Sequence, residues 1–159
     1  REGRGRKSMR KLLSGDAKLE DLYIVREAAL ALGWDVLEHA PVSYYEGDGA
    51  VCAIVVSPNA AEVDKYGHAI GKTVGGKYTI GFQQDKGTGS MTMLHDNAMD
   101  GAEQYSVESG QQDQTTQRVV GKLKQAIAEV QLRRILTHQR ASWRTEVRAD
   151  GAHVLVVRR

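Results

Sequence analysis

His95 and Asp96, adjacent at the end of the apolar run Met91-Thr92-Met93-Leu94, are the residues of this chain best suited to acid–base chemistry. An imidazole beside a carboxylate can move a proton, but a nucleophile must lie within its reach. No Ser or Cys is placed by spacing to receive that help, so the pair reads as the polar end of a strand. The histidines His39, His68, His95, His138 and His153 are scattered, with no pair at the i, i+4 interval of a helical metal-binding set. No metal site and no resident cofactor are expected. Gly71-Lys72-Thr73 resembles the end of a phosphate loop, yet Tyr66 stands where that loop needs its first glycine and the next segment looks like a strand rather than a helix. Gly87-Thr88-Gly89 lacks the third glycine of a dinucleotide site. The single cysteine, Cys52, lies inside Val51 to Val56 and reads as a small core hydrophobe, since a reactive thiol needs an electropositive, partly open site. The residue types thus predict a protein that is not an enzyme.

The elements that would position these residues follow from periodicity. At 159 residues the chain fits one domain with a real core and no disulfide. Residues 1–15 are rich in Gly, Arg, Lys and Ser and predict a basic extended arm, ahead of a single domain over 16–159. From Asp16, a candidate N-cap, apolar residues at Leu19, Leu22, Val25, Ala29 and Leu32 predict a helix that stops at Gly33. Trp34 to His39 predicts a strand, ended or rerouted by Ala40-Pro41. A turn at Glu46 to Gly49 leads into Ala50 to Val56, an uninterrupted apolar run expected as a central strand. Ser57 to Lys77 is an inserted loop of about twenty residues, a length usually functional or mobile.

Tyr78-Thr79-Ile80-Gly81-Phe82 and Met91 to Leu94 form a predicted hairpin turning at Asp85 to Ser90, with one face packed and the other meeting water. The stretch Asn97 to Thr116 is polar. A long helix follows, with Val120, Leu123, Ile127 and Val130 as its stripe and an end near His138. Trp143, Thr145 and Val147 then alternate with Arg144, Glu146 and Arg148, and Asp150-Gly151 turns the chain into Val154 to Val157. The expected class is α+β: a two-layer sandwich, mainly antiparallel sheet packed by two helices, in the order α-β-β-β-β-α-β-β.

The formal charge of +2 conceals segregation. Residues 1–11 hold six basic and one acidic residue, residues 12–132 nine basic and seventeen acidic, and residues 133–159 seven basic and two acidic. Basic ends on an acidic body suit electrostatic docking to acidic protein surfaces or anionic lipid headgroups. Trp143 among the arginines is the pattern of a nucleic-acid contact, but one aromatic with a strand's alternation on so acidic a body argues against that partner. No apolar run approaches the ~18 residues that span a bilayer, so no transmembrane span is expected.

In order along the chain, Lys18 to Leu22, Ala29 to Val36, Tyr44-Tyr45-Glu46-Gly47, Tyr78 to Phe82, Met93 to Asp96, Lys124 to Ala128 and Asp150 to Arg158 resemble the family called hypothetical chloroplast reading frame thirty-five. This is a domain of unknown function of cyanobacteria and plastids. Loop 57–77 and the arm before residue 18 have no counterpart in the usual family pattern. The resemblance implies a plastid setting, with the initial Arg fitting a processed product or a fragment, and it brings no catalytic residues.

The expected function is that of a non-catalytic stromal protein docking on a photosynthetic membrane complex at the thylakoid, as a peripheral subunit or assembly factor, foremost of photosystem I. The alternative is a plastid nucleic-acid-binding accessory. Candidate contact residues are Arg1, Arg4, Arg6, Lys7, Arg10 and Lys11 of the arm, and Arg133, Arg134, Arg140, Arg158 and Arg159 of the C-terminal segment. Tyr66, His68 and Ile70 complete the set from the inserted loop, where His68 could also meet a group that a partner supplies.

Overall fold

The computed structural model describes residues 19–101, 111–139 and 142–158, with the side chains at positions 19, 20, 142 and 143 left aside. The arm cations Arg1, Arg4, Arg6, Lys7, Arg10 and Lys11, the cap candidate Asp16, and Arg140 and Arg159 lie outside the described residues. The elements are α1 (Leu19–Ala31), β1 (Asp35–Tyr44), β2 (Gly47–Ser57), β3 (Ile80–Gln84), β4 (Met91–Leu94), α2 (Gln114–His138), β5 (Ser142–Val147) and β6 (His153–Arg158). The α+β class and the order of elements are those the sequence predicts.

Helix α1 buries Ile24, Val25, Ala28 and Ala29. Gly33 ends it at φ +75°, a conformation that costs a residue without Cβ little, and the next amide, Trp34 N–H, donates back to the Ala29 carbonyl at 2.9 Å. Helix α2 begins at Asp113, whose carboxylate accepts the Thr116 amide at 2.8 Å. Its stripe of Val120, Leu123, Ile127 and Val130 is buried as expected. The main sheet runs β1-β2-β3-β4, all antiparallel. Tyr78, Ile80, Phe82, Met91 and Met93 join residues of both helices in one core.

The other face of β3 does not meet water, which corrects the expectation for that hairpin. Thr79 and Gly81 are buried there, beside a second cluster of Val42, Tyr44, Cys52, Val55 and Leu94. The cause lies in β1, which does not stop at Pro41. As an edge strand it tolerates the missing amide, and it is rerouted by a bulge between Pro41 and Ser43 and by His39 at φ +51°. In a flat sheet β1 and β3 would lie nearly 10 Å apart, on either side of β2. Here the Thr79 amide donates to the Ser43 carbonyl at 3.2 Å, and the Ser43 amide donates to Thr79 Oγ1 at 2.8 Å. The β1–β2 ribbon therefore curls over the sheet. Gly81 permits this closure, because a Cβ there would sit 2.5 Å from Cys52 Sγ. The ribbon's own turn is Tyr45-Glu46, earlier than expected, with Gly47 already paired to Tyr44.

Strands β5 and β6 form a separate two-stranded sheet. They pair along their length, from Ser142 opposite Arg158 to Val147 opposite His153.

Candidate docking surface

His95 and Asp96 are buried, and the His95 Nδ1 and the Asp96 carboxylate meet backbone groups. The Asp96 carboxylate accepts the Ala98 amide at 2.9 Å and the Tyr45 amide at 3.2 Å. His95 Nδ1 lies 3.0 Å from the Asp96 carbonyl oxygen. This carboxylate ties the end of β4 to the ribbon turn, a structural task that removes it from solvent. Burial pushes the Cys52 thiol up to about 11, so it is not a thiolate at neutral pH. Burial, reinforced by the carboxylates of Asp96 and Asp113, likewise raises the Tyr78 phenol. Among the described residues no group of three metal-ligating side chains is brought together. Lys72 donates to Asp48 at 3.1 Å and Thr73 donates to Asp35 at 2.6 Å, so the Gly-Lys-Thr triplet is spent on the ribbon. The Lys72 and Ser43 hydrogen bonds hold Asp48 below its ordinary range.

The inserted loop is pinned. Ile70 is 1% exposed and belongs to the main core. Its carbonyl accepts the Tyr78 amide at 2.9 Å and its own amide donates to the Glu62 carbonyl at 3.2 Å. The expectation that Ile70 anchors a partner is thereby corrected, because an isoleucine flanked by Ala69 and Gly71 is the loop's best apolar group and the core takes it. Glu62 is buried and accepts Lys122 Nζ at 2.6 Å. Asp64 accepts the Tyr66 and His68 amides, each at 2.9 Å, and Asp100 accepts the Lys65 amide at 2.9 Å and the Thr115 hydroxyl at 2.6 Å. This scaffold presents a small tip. Tyr66 is 49% exposed, Lys65 Nζ lies 5.3 Å from its ring centroid, and the His68 ring is 6.4 Å away. His68 Nδ1 is 3.9 Å from Asp64.

The C-terminal cations are distributed differently. Arg134 donates to Glu27 of α1 at 2.9 Å, and Arg133 lies 3.7 Å from Glu129 and donates to Thr145 at 3.4 Å. His153 Nδ1 is 2.6 Å from Glu129 as well, so this carboxylate on α2 holds β6 directly and β5 by way of Arg133 and Thr145. Cross-strand partners share a face. Thr145 and His153, which contact α2, therefore share a face with Leu155 and Val147, whereas Arg144, Val156 and Arg158 lie on the opposite face. Arg144 bonds Glu146 at 2.6 Å, and Arg148 stands exposed after β5. Of the described arginines in the C-terminal segment, Arg133, Arg134 and Arg144 are drawn into ties within the chain, and Arg144, Arg148 and Arg158 lie exposed on the hairpin.

Sequence reading did not find Glu62, Asp100 and Glu129, which organise these two surfaces. Their partners lie far along the chain, and an acidic residue in a polar stretch carries no signal of such pairing. Comparison with protein-family models, with curated proteins and with solved structures found no match.

Proposed function

We propose that this chain is a non-catalytic docking protein, attached at the stromal side of the thylakoid to a photosynthetic membrane complex as a peripheral subunit or assembly factor, foremost of photosystem I. The observation that carries the docking part is the closing hairpin: it is held to α2 through Glu129 and turns the side of Arg144 and Arg158 outward. The acidic stretch before it makes this end electrostatically distinct, so an acidic protein surface is the complementary partner. The family resemblance of the sequence supports the plastid setting. A non-catalytic role is supported by the burial of His95 and Asp96 and by the use of the Asp96 carboxylate as an acceptor of backbone amides.

No helix among the described residues is long and apolar enough to cross a membrane, so attachment would be peripheral. Exposed ion pairs contribute only ~0 to 1 kcal/mol each, and many must act together. The test is recovery of companions from gently solubilised thylakoid membranes on the tagged full chain. Recovery should fall steeply between about 50 and about 300 mM salt. It should also fall when Arg144, Arg148 and Arg158 are replaced by Ser. Undiminished recovery by that triple variant would remove the reading, and a preference for RNA over membrane complexes would replace it with nucleic-acid binding.

A further inference from the structure

The hairpin of β5 and β6 is a sheet of two strands, and among the described residues no strand pairs with the other edge of β5. The two strands are unequally covered: Arg144 to Val147 are all exposed, whereas Val154 to Val156 are half-buried. The hydrogen-bond phase of β5 is fixed by the Arg148 amide, which donates across the hairpin to the Ala152 carbonyl at 2.8 Å. The ladder has no register shift, so Glu146 and Arg144 also turn their peptide groups toward β6. Trp143, Thr145 and Val147 therefore aim theirs at the open edge.

This edge is complementary to itself. An antiparallel copy of β5 centred on Thr145 sets Thr145 opposite Thr145 and Trp143 opposite Val147, so every outward amide and carbonyl of the three residues meets a partner. The same register places Arg144 opposite Glu146 of the second copy, at the non-hydrogen-bonded positions where side chains stand closest. Neighbouring registers of the same phase would oppose Arg144 to Arg144, or Glu146 to Glu146. The pairing also gives Val147, 65% exposed, a neighbour. Self-pairing of β6 about Leu155 would instead oppose Val154 to Val156, with no charge to choose the register.

We propose that β5 pairs antiparallel with β5 of a second copy of this chain, giving a four-stranded sheet in the order β6-β5-β5-β6. The two-fold axis passes between the Thr145 residues, perpendicular to the sheet. Helix α2 of each copy then lies on one face, and Arg144 and Arg158 of both copies lie on the other. The tie of Arg144 to Glu146 within each chain, at 2.6 Å, becomes part of a ring of alternating charges around the axis. This inference goes beyond the attachment proposed above and stands without it, since it is read on the purified chain with no membrane present.

Sedimentation of the purified full chain between about 1 and about 300 μM should show a monomer–dimer equilibrium. Arg144→Glu and Glu146→Arg, each alone, should weaken the dimer at least about tenfold, because like charges then oppose across the axis. Mixed in equal amounts, the two variants should form a heterodimer within about threefold of the native affinity, each supplying the charge that the other lacks. Val147→Pro removes an outward amide and no bond to β6, so it should abolish the dimer while the circular dichroism is unchanged. A chain monomeric at every concentration would overturn the proposal, as would single variants that dimerise like the native chain. A mixture that associates no better than either variant alone would overturn it too, and that arm does not depend on the proline variant folding.

Discussion

The inserted loop and the closing hairpin invert the usual relation between regular structure and integration. Loop 57–77 contains only a three-residue 3-10 turn, Lys72–Val74, and two isolated bridges, yet it delivers Ile70 to the core and a buried Glu62 to an ion pair with the half-exposed Lys122. The hairpin is two well-registered strands, yet Val147 is 65% exposed and the sheet they form has no third strand. A two-stranded hairpin alone is marginal in water. Integration is therefore decided by what a segment buries and which amides it satisfies, and hydrogen bonding along its own backbone is a poor guide to it.

The largest test of that contrast is Ile70→Ala, which should cost about 2–5 kcal/mol in a urea melt, as for a core isoleucine. Gly76→Ala should be similarly harmful, because the new Cβ would stand 2.3 Å from the Ile70 backbone. If either change costs less than about 1 kcal/mol, the loop is not part of the core.

Alkali should separate the enclosed region from the exposed one. The folded-state value of Cys52 is raised to about 11, so the unfolded chain loses this proton first. Its stabilising contribution is complete below the ordinary thiol range and is lost as pH climbs from about 9 to about 11. Tyr78 adds to the loss at the upper end, its phenol being raised in the same direction. Cys52→Ala should flatten the lower part of that decline in a series of thermal melts, and an unchanged slope would contradict the enclosure of the ribbon.

A smaller effect is expected at the loop's scaffold. Asp100→Ala should cost about 1–3 kcal/mol by leaving the Lys65 amide and the Thr115 hydroxyl without their acceptor. Hydrogen exchange should quicken at residues 64–68 while β3 stays protected. At the hairpin, Glu129→Gln should change global stability by less than about 1 kcal/mol, since its ties to Arg133 and His153 are partly exposed. Exchange in β5 and β6 should be faster than in β2 and β3 even before that change. Equal protection would mean that the hairpin is as integrated as the sheet.

Much of this organisation was legible in the chain. The stripe of α2 was readable because four apolar residues recur at helical spacing, and the stop of α1 because only glycine sits easily at a positive φ. Asp150-Gly151 marked the last turn, where Gly151 adopts φ +86°. The candidate contacts were less legible. Tyr66 and His68 lie on the tip as a loop reading suggests, but Ile70, two residues on, faces the core. Periodicity is silent in an irregular segment, where each side chain's direction is set by turns such as the one Asp64 organises. Arg133 and Arg134, docking candidates by charge alone, stand beside Glu129 and Glu27, partners that no local pattern announces.

By itself, then, the order of residues determined the class, the number and sequence of elements, and the gathering of cations toward the ends, because these depend on local spacing and on composition. Only the folded chain decided that the ribbon curls and that a long loop is a structural brace. Those outcomes depend on contacts between residues tens of positions apart, such as Ser43 with Thr79 and Lys122 with Glu62, whose formation rests on the joint packing of several elements and leaves no mark in any one of them.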